Sequence, residues 1–194
     1  LRRAGYHTCL SGKMHFVGPD QKHGFQDRVT TDIYPADFAW TPDWEVSEER
    51  IDRWYHNMDP VREAGWAVAT FQTDFDDETE YAARRWLIDR GRDKGAGDDR
   101  PFCLVASFMH PHDPYVAKPE WWNLYSEDDI DLPDFVLPLD QQDPQSRRLL
   151  DGIEATTTTI TDDDVRNARR GYLANVSYFD SKLGSLVKTL EDIG

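Results

Sequence analysis

Two short segments gather side chains that could act on a tetrahedral oxyanion. Ser11-Gly12-Lys13-Met14-His15-Phe16-Val17-Gly18 sets a lysine and a histidine two residues apart. In an extended segment residues i and i+2 leave the same face, so Lys13 and His15 are expected to project together. A point cation beside a titratable imidazole suits such a ligand, the ammonium holding its charge and the imidazole carrying a proton. The second segment is Met109-His110-Pro111-His112-Asp113-Pro114-Tyr115. Its prolines stiffen the loop, and its two histidines alternate, so one of them is expected to face a site. A histidine followed by Asp could protonate a leaving oxygen or bind a metal. Either pattern alone also fits an ordinary surface turn, because both are short.

The elements that must position these segments read as α/β. Tyr6 to Leu10 has strand character, with Ser11-Gly12-Lys13 as the turn after it. Pro101 to Phe108 is a continuous apolar run, the mark of a strand buried on both faces of a parallel sheet. Asp77-Glu78-Thr79-Glu80 resembles a capping box and predicts a helix to about Arg90, followed by a charged loop to Arg100. Thr161-Asp162-Asp163-Asp164 caps a long last helix, whose apolar stripe is predicted as Val165, Ala168, Tyr172, Val176, Phe179, Leu183, Leu186 and Leu190. Residues 140–161 are polar and read as a surface excursion. Strand, helix, strand, helix is the α/β order, with both candidate segments just past a strand, where ligands sit in open sheets.

Composition narrows the function classes. The chain has 194 residues, with 22 Lys and Arg against 37 Asp and Glu, a net charge of −15. Such a surface repels nucleic acid and anionic membranes, and no apolar run is long enough to span a bilayer. Cys9 and Cys103 are too sparse for a secreted disulfide scaffold, so a reducing cytoplasm is the expected location. The six histidines show no H-E-x-x-H or tight Cys/His spacing, which argues against a dedicated zinc site, and no P-loop, Rossmann or nucleophile-elbow motif occurs. Tyr34, Phe38, Trp40, Trp44, Trp54 and Tyr55 crowd a long irregular stretch. Packing is the ordinary use of such residues, but aromatic faces also suit a quaternary ammonium.

Taken together, Gly5-Tyr6-His7-Thr8-Cys9-Leu10-Ser11-Gly12-Lys13-Met14-His15-Phe16-Val17-Gly18 resembles the sulfatase family of the alkaline phosphatase-like superfamily. Phe102 to Tyr115, ending in Pro-His-Asp-Pro-Tyr, is similar to that family's second histidine-bearing strand and loop. His23-Gly24-Phe25 and the run from Thr30 through Trp44 most resemble the choline-sulfatases within it. The resemblance covers nearly the whole chain. It implies part of a sulfatase sandwich, a mostly parallel sheet flanked by helices, with residues 1–194 as the central segment of one catalytic domain. It also implies hydrolysis of a small-molecule sulfate ester, choline-O-sulfate, by a formylglycine nucleophile beside a divalent cation, Ca2+ by family habit, in an enzyme that forms homo-oligomers. By the same resemblance Lys13 would bind sulfate oxygens, His15 would orient or deprotonate the nucleophile, and His112 would contact sulfate and protonate the leaving oxygen. Trp40 and His56 would meet the ammonium end of the substrate.

The departures matter as much. The C-x-P-S-R segment that supplies the nucleophile is absent, as are the family's early Asp pair and later Asp-containing metal segment. The chain opens on what reads as a helix end closed by Gly5 and stops on another at Gly194. The expectation is a piece of a longer protein, with nucleophile and metal ligands outside it and no turnover by residues 1–194 alone. Another sulfatase or a phosphoester hydrolase of the same superfamily, or a non-catalytic domain on the same scaffold, remains the alternative.

Overall fold

Parallel strands need long crossovers, and the chain supplies them with helices and extended loops. The computed structural model describes residues 1–33 and 56–194; Tyr34, Phe38, Trp40, Trp44, Trp54 and Tyr55 lie outside the described residues. In chain order the described strands and α-helices are β1 (His7–Gly12), β2 (Asp27–Arg28), α1 (Asp59–Arg62), β3 (Gly65–Trp66), α2 (Phe71–Gly95), β4 (Phe102–Ser107), β5 (Val116–Ala117), α3 (Pro119–Trp122), α4 (Pro144–Gly152) and α5 (Asp162–Ile193). They divide into two units, one from residues 1–33, 69–110 and 178–194, the other from 56–68 and 111–177. Among the described residues no helix is long and apolar enough to cross a membrane.

The first unit is built on a parallel three-stranded sheet in the order β2-β1-β4. Strand β1 lies between its neighbours, and Thr8 to Gly12 are all buried. It pairs with β4 from His7 opposite Phe102 to Gly12 opposite Ser107. The expected strand at Pro101–Phe108 is therefore present and parallel, but half-buried rather than enclosed on both faces, because among the described residues it is an edge of its sheet. Ala83, Trp86 and Leu87 of α2 close one core with Cys9 and Leu186, and Phe102, Leu104, Ala106 and Phe108 pack against it. Full burial of a side chain such as Leu87 contributes roughly 1.5–3 kcal/mol. Burial, aided by the nearby Asp27 charge, pushes the Cys9 thiol up to about 12.

Helix α2 departs from the sequence expectation at both ends. It starts six residues before Asp77, at a reciprocal box between Thr70 and Thr73, and runs on through the predicted charged loop to Gly95. The acids that mimicked a cap are engaged elsewhere: Lys182 donates to Asp77 at 2.5 Å and to Glu80 at 2.8 Å, and the Tyr178 hydroxyl donates to Asp77 at 2.8 Å.

The second unit pairs β3 with β5 in parallel, Gly65 opposite Val116 and Trp66 opposite Ala117. Ala117, Trp122 and Ala174 form its core cluster, with Trp121 and Tyr125 against it. A Cβ at Gly171 would meet the Tyr115 carbonyl oxygen at 2.2 Å, so only glycine allows α5 to lie this close to the chain at Tyr115. The box that opens α5 is the one expected: the Thr161 N–H donates to Asp164 at 2.8 Å and the Asp164 N–H donates to Thr161 Oγ1 at 3.1 Å. The predicted polar excursion contains a helix, α4, capped by Asp143 accepting the N–H groups of Gln145 and Ser146. The apolar stripe predicted along α5 is only partly inward. Ala168 and Leu186 are buried, whereas Tyr172, Val176, Leu183 and Leu190 are exposed; the buried set includes Ala174, Asn175, Tyr178 and Thr189 instead.

At the end of β1, Gly12 has φ +102°, and a Cβ built there would lie 1.9 Å from the Ser107 carbonyl oxygen. Gly12→Ala is expected to cost about 3 kcal/mol or more, because both the backbone region and the space exclude a side chain. A fall in the thermal unfolding midpoint checks this, and an unchanged midpoint contradicts it.

Candidate functional site

A parallel ladder runs out at the carboxyl ends of its strands, leaving amide donors that need acceptors. At β1 the Lys13 N–H still donates to the Ser107 carbonyl at 2.9 Å, so Lys13 is the last residue held by the sheet. The next two amides turn to a side chain. Met14 N–H and His15 N–H converge on Asp32 Oδ2 at 3.0 and 2.7 Å. Asp32 Oδ1 accepts the Ile33 N–H at 3.0 Å, and Arg28 Nη2 donates to Oδ2 at 3.1 Å. The Asp32 side chain is 1% exposed, so this carboxylate sits out of water with its charge balanced by Arg28. Arg28 is itself held by the Thr30 and Gln21 carbonyls and by Gln21 Oε1.

His15 has φ 53°, in the left-handed region that costs a non-glycine residue on the order of 1 kcal/mol or more. The segment is therefore not extended. Lys13 and His15 are brought to the same strand end, but by a sharp bend after Lys13 rather than by strand alternation. The imidazole is partly exposed, with Nδ1 3.9 Å from Asp32 Oδ1.

Lys13 is half-buried, and its ammonium donates to Met109 Sδ at 3.4 Å. Met109 is buried with Ile33 and Phe75. A thioether is a weak acceptor, whereas hydrogen bonds to a charged partner contribute about 1.5–3 kcal/mol. Among the described residues no carboxylate pairs with Lys13, so its charge is left for an anion.

The carboxyl end of β4 has the same construction. Asp76 of α2, buried, accepts the Met109 N–H at 2.6 Å, the His110 N–H at 3.0 Å and His110 Nδ1–H at 2.7 Å. His110 is 3% exposed and meets the Tyr178 ring edge-on at 5.3 Å. Of the two alternating histidines, His110 is thus structural. Burial, then the hydrogen bond to Asp77, pushes the Tyr178 hydroxyl up.

His112 belongs to the second unit and is partly exposed. Its Nδ1 faces two acceptors, the Asp113 carbonyl at 2.8 Å and Asp113 Oδ1 at 2.7 Å. Nδ1 therefore carries a hydrogen, and Nε2 is the nitrogen left for proton transfer. His56 is exposed in the same unit, beside the turn in which Asn57 Nδ2 donates to Asp59. Trp40 lies outside the described residues.

Among the described residues no group of three or more His, Cys, Asp or Glu side chains could hold a metal ion. Cys9 is sealed within β1. Sequence reasoning singled out Lys13, His15 and His112 but passed over Asp32, Arg28 and Asp76. Nothing local distinguishes them, Asp76 standing among Asp74, Asp77 and Glu78, and their partners lie up to 34 residues away.

Asp76→Ala would leave the buried Met109 and His110 amides without an acceptor, an expected loss of roughly 3–5 kcal/mol. Denaturant unfolding measures it, and Asp76→Asn, which keeps one acceptor oxygen, is expected to lose less.

A family model described as Sulfatase matches residues 1–194. The chain is 51% identical to a choline-sulfatase of Rhizobium meliloti (strain 1021) over 191 residues, 98% of this chain and 37% of that protein. It is 22% identical to an arylsulfatase of Clostridium perfringens (strain 13 / Type A), covering 99% of this chain and 42% of the relative. It is 24% identical to an iduronate 2-sulfatase of Mus musculus, covering 100% of this chain and 36% of the relative. The chain spans less than half the length of these curated relatives.

Proposed function

Because the chain belongs to the sulfatase family, we propose that it works in the hydrolysis of a sulfate ester, with choline-O-sulfate as the substrate. One observation carries the reading: a half-buried ammonium, Lys13, whose partner among the described residues is a thioether, set two residues from a histidine that a buried carboxylate locks in place. Such a cation donates to a sulfate oxygen at little cost, because no existing ion pair must be broken. The likeness to the Rhizobium choline-sulfatase supports the choice of ester.

Lys13 holds sulfate oxygens as a point charge and stabilises the charge that accumulates on them as the S–O bond breaks. His15 carries a proton at the attacking group. His112 acts as the acid: with Nδ1–H donated to Asp113, Nε2 delivers a proton to the departing oxygen. Choline leaves as an alkoxide unless it is protonated, so this transfer matters most for an alkyl ester. Trp40 and His56 are proposed to meet the trimethylammonium group, Trp40 by a cation–π contact. Sulfatases use a metal ion and a formylglycine nucleophile. Among the described residues no cluster could hold a metal ion, and the sequence has no C-x-P-S-R segment to supply the nucleophile.

The test compares sulfate release by the whole protein from choline-O-sulfate, an aryl sulfate and a phosphate monoester. The expected order of kcat/KM puts choline-O-sulfate first, and faster hydrolysis of the phosphate ester would overturn the reading. Lys13→Ala is expected to raise KM about tenfold or more. His112→Ala is expected to lower kcat for choline-O-sulfate by about a hundredfold or more, but far less for a nitrophenyl sulfate, whose leaving group needs no proton. Equal losses on the two esters would remove His112 from the acid role.

A further inference from the structure

We propose that Asp32 is the positioning residue of His15, acting on the chemical step and not on substrate capture; the inference rests on the sulfate-ester reading. The division follows from where each backbone group is held. Lys13 is fixed by the sheet through its N–H to the Ser107 carbonyl, and its ammonium by Met109, so neither contact involves Asp32. Beyond Lys13 the sheet ends, and the Met14 and His15 amides converge on one Asp32 oxygen. His15 sits in the left-handed region with φ 53°, which a histidine keeps only where its surroundings impose it. Two amide hydrogen bonds to a carboxylate that is 1% exposed, itself anchored by Arg28 and the Ile33 amide, are such an imposition. Losing them removes the hydrogen bonds that hold the bent backbone at His15, while those at Lys13 remain. Asp32 thereby separates two functions that adjoin in sequence: the ladder sets the anion-binding charge, and the carboxylate sets the proton carrier.

The experiment is a double-mutant cycle on the whole protein with choline-O-sulfate. Asp32→Asn is expected to lower kcat about tenfold or more while KM stays within about threefold of the parent, and Asp32→Ala, which keeps no acceptor oxygen, to lower kcat further. His15→Ala sets the reference. If Asp32 acts through His15, the His15→Ala/Asp32→Asn double variant matches His15→Ala within about twofold; a purely structural Asp32 makes the two losses multiply. Multiplying losses, or a rise in KM that exceeds the fall in kcat, overturn the inference. Thermal unfolding is recorded for each variant. Should Asp32→Asn fail to fold because Arg28 is left with a buried uncompensated charge, Arg28→Gln/Asp32→Asn replaces it in the cycle. Failure of both to fold would make Asp32 a determinant of the fold and overturn the positioning role. Unchanged turnover in His15→Ala would remove His15 from the reaction, a failure of the underlying reading that is visible separately from any effect at Asp32.

Discussion

A parallel strand that stops beside a ligand site leaves backbone amides with no strand to receive them, and in this molecule two buried carboxylates receive them. Asp32 takes the amides after β1, and Asp76 takes those after β4. Everything proposed for the site depends on this arrangement. Water at the same positions would satisfy the amides equally well but would not fix the residues that follow. A carboxylate locked by further bonds does fix them, since its own freedom has already been removed by Arg28 in one case and by the His110 ring in the other. Charge-assisted bonds of this kind are roughly twice as strong as neutral ones.

The consequence is an uneven distribution of charge at the strand ends. Both carboxylates are directed at amides, an arginine and a histidine, so neither reaches Lys13. Its ammonium rests on Met109, a side chain held in place by the Asp76 latch through its own N–H. Among the described residues, then, no carboxylate pairs with the ammonium proposed to hold the anion. The opposite end of β1 shows a cluster in which the charges are paired among themselves. There His7 shares Asp27 with the Trp86 indole and receives Arg90, and although burial raises the Asp27 carboxyl, these hydrogen bonds and charges hold it below the ordinary range. There the charges are paired with one another; the Lys13 ammonium has no such ionic partner among the described residues.

How much of this could be read from the residues depended on how local each cause is. The Thr161–Asp164 box and the strand at Phe102 were legible because propensity and capping act within a few positions. The start of α2 was not. Asp77 and Glu80 have the composition of a cap, yet they bind Lys182 more than a hundred residues on, and the true cap is the less conspicuous Thr70 and Thr73. The α5 stripe misled for a related reason: apolar spacing marks a face that can be buried, while Gly171 and Asn175, neither of them apolar markers, lie among the residues the fold turns inward. At the site, Lys13 and His15 were visible from type and spacing. The bend between them was not, because it is imposed by Asp32 from 17 residues away.

The most direct test of the central claim is a crystal structure of the whole protein with choline-O-sulfate bound, under conditions where turnover is blocked. The account expects a sulfate oxygen at hydrogen-bond distance, about 3 Å, from Lys13 Nζ, with the ammonium drawn from Met109 Sδ and the His15 backbone unchanged. An ester bound elsewhere, with Lys13 still resting on the thioether, would contradict it.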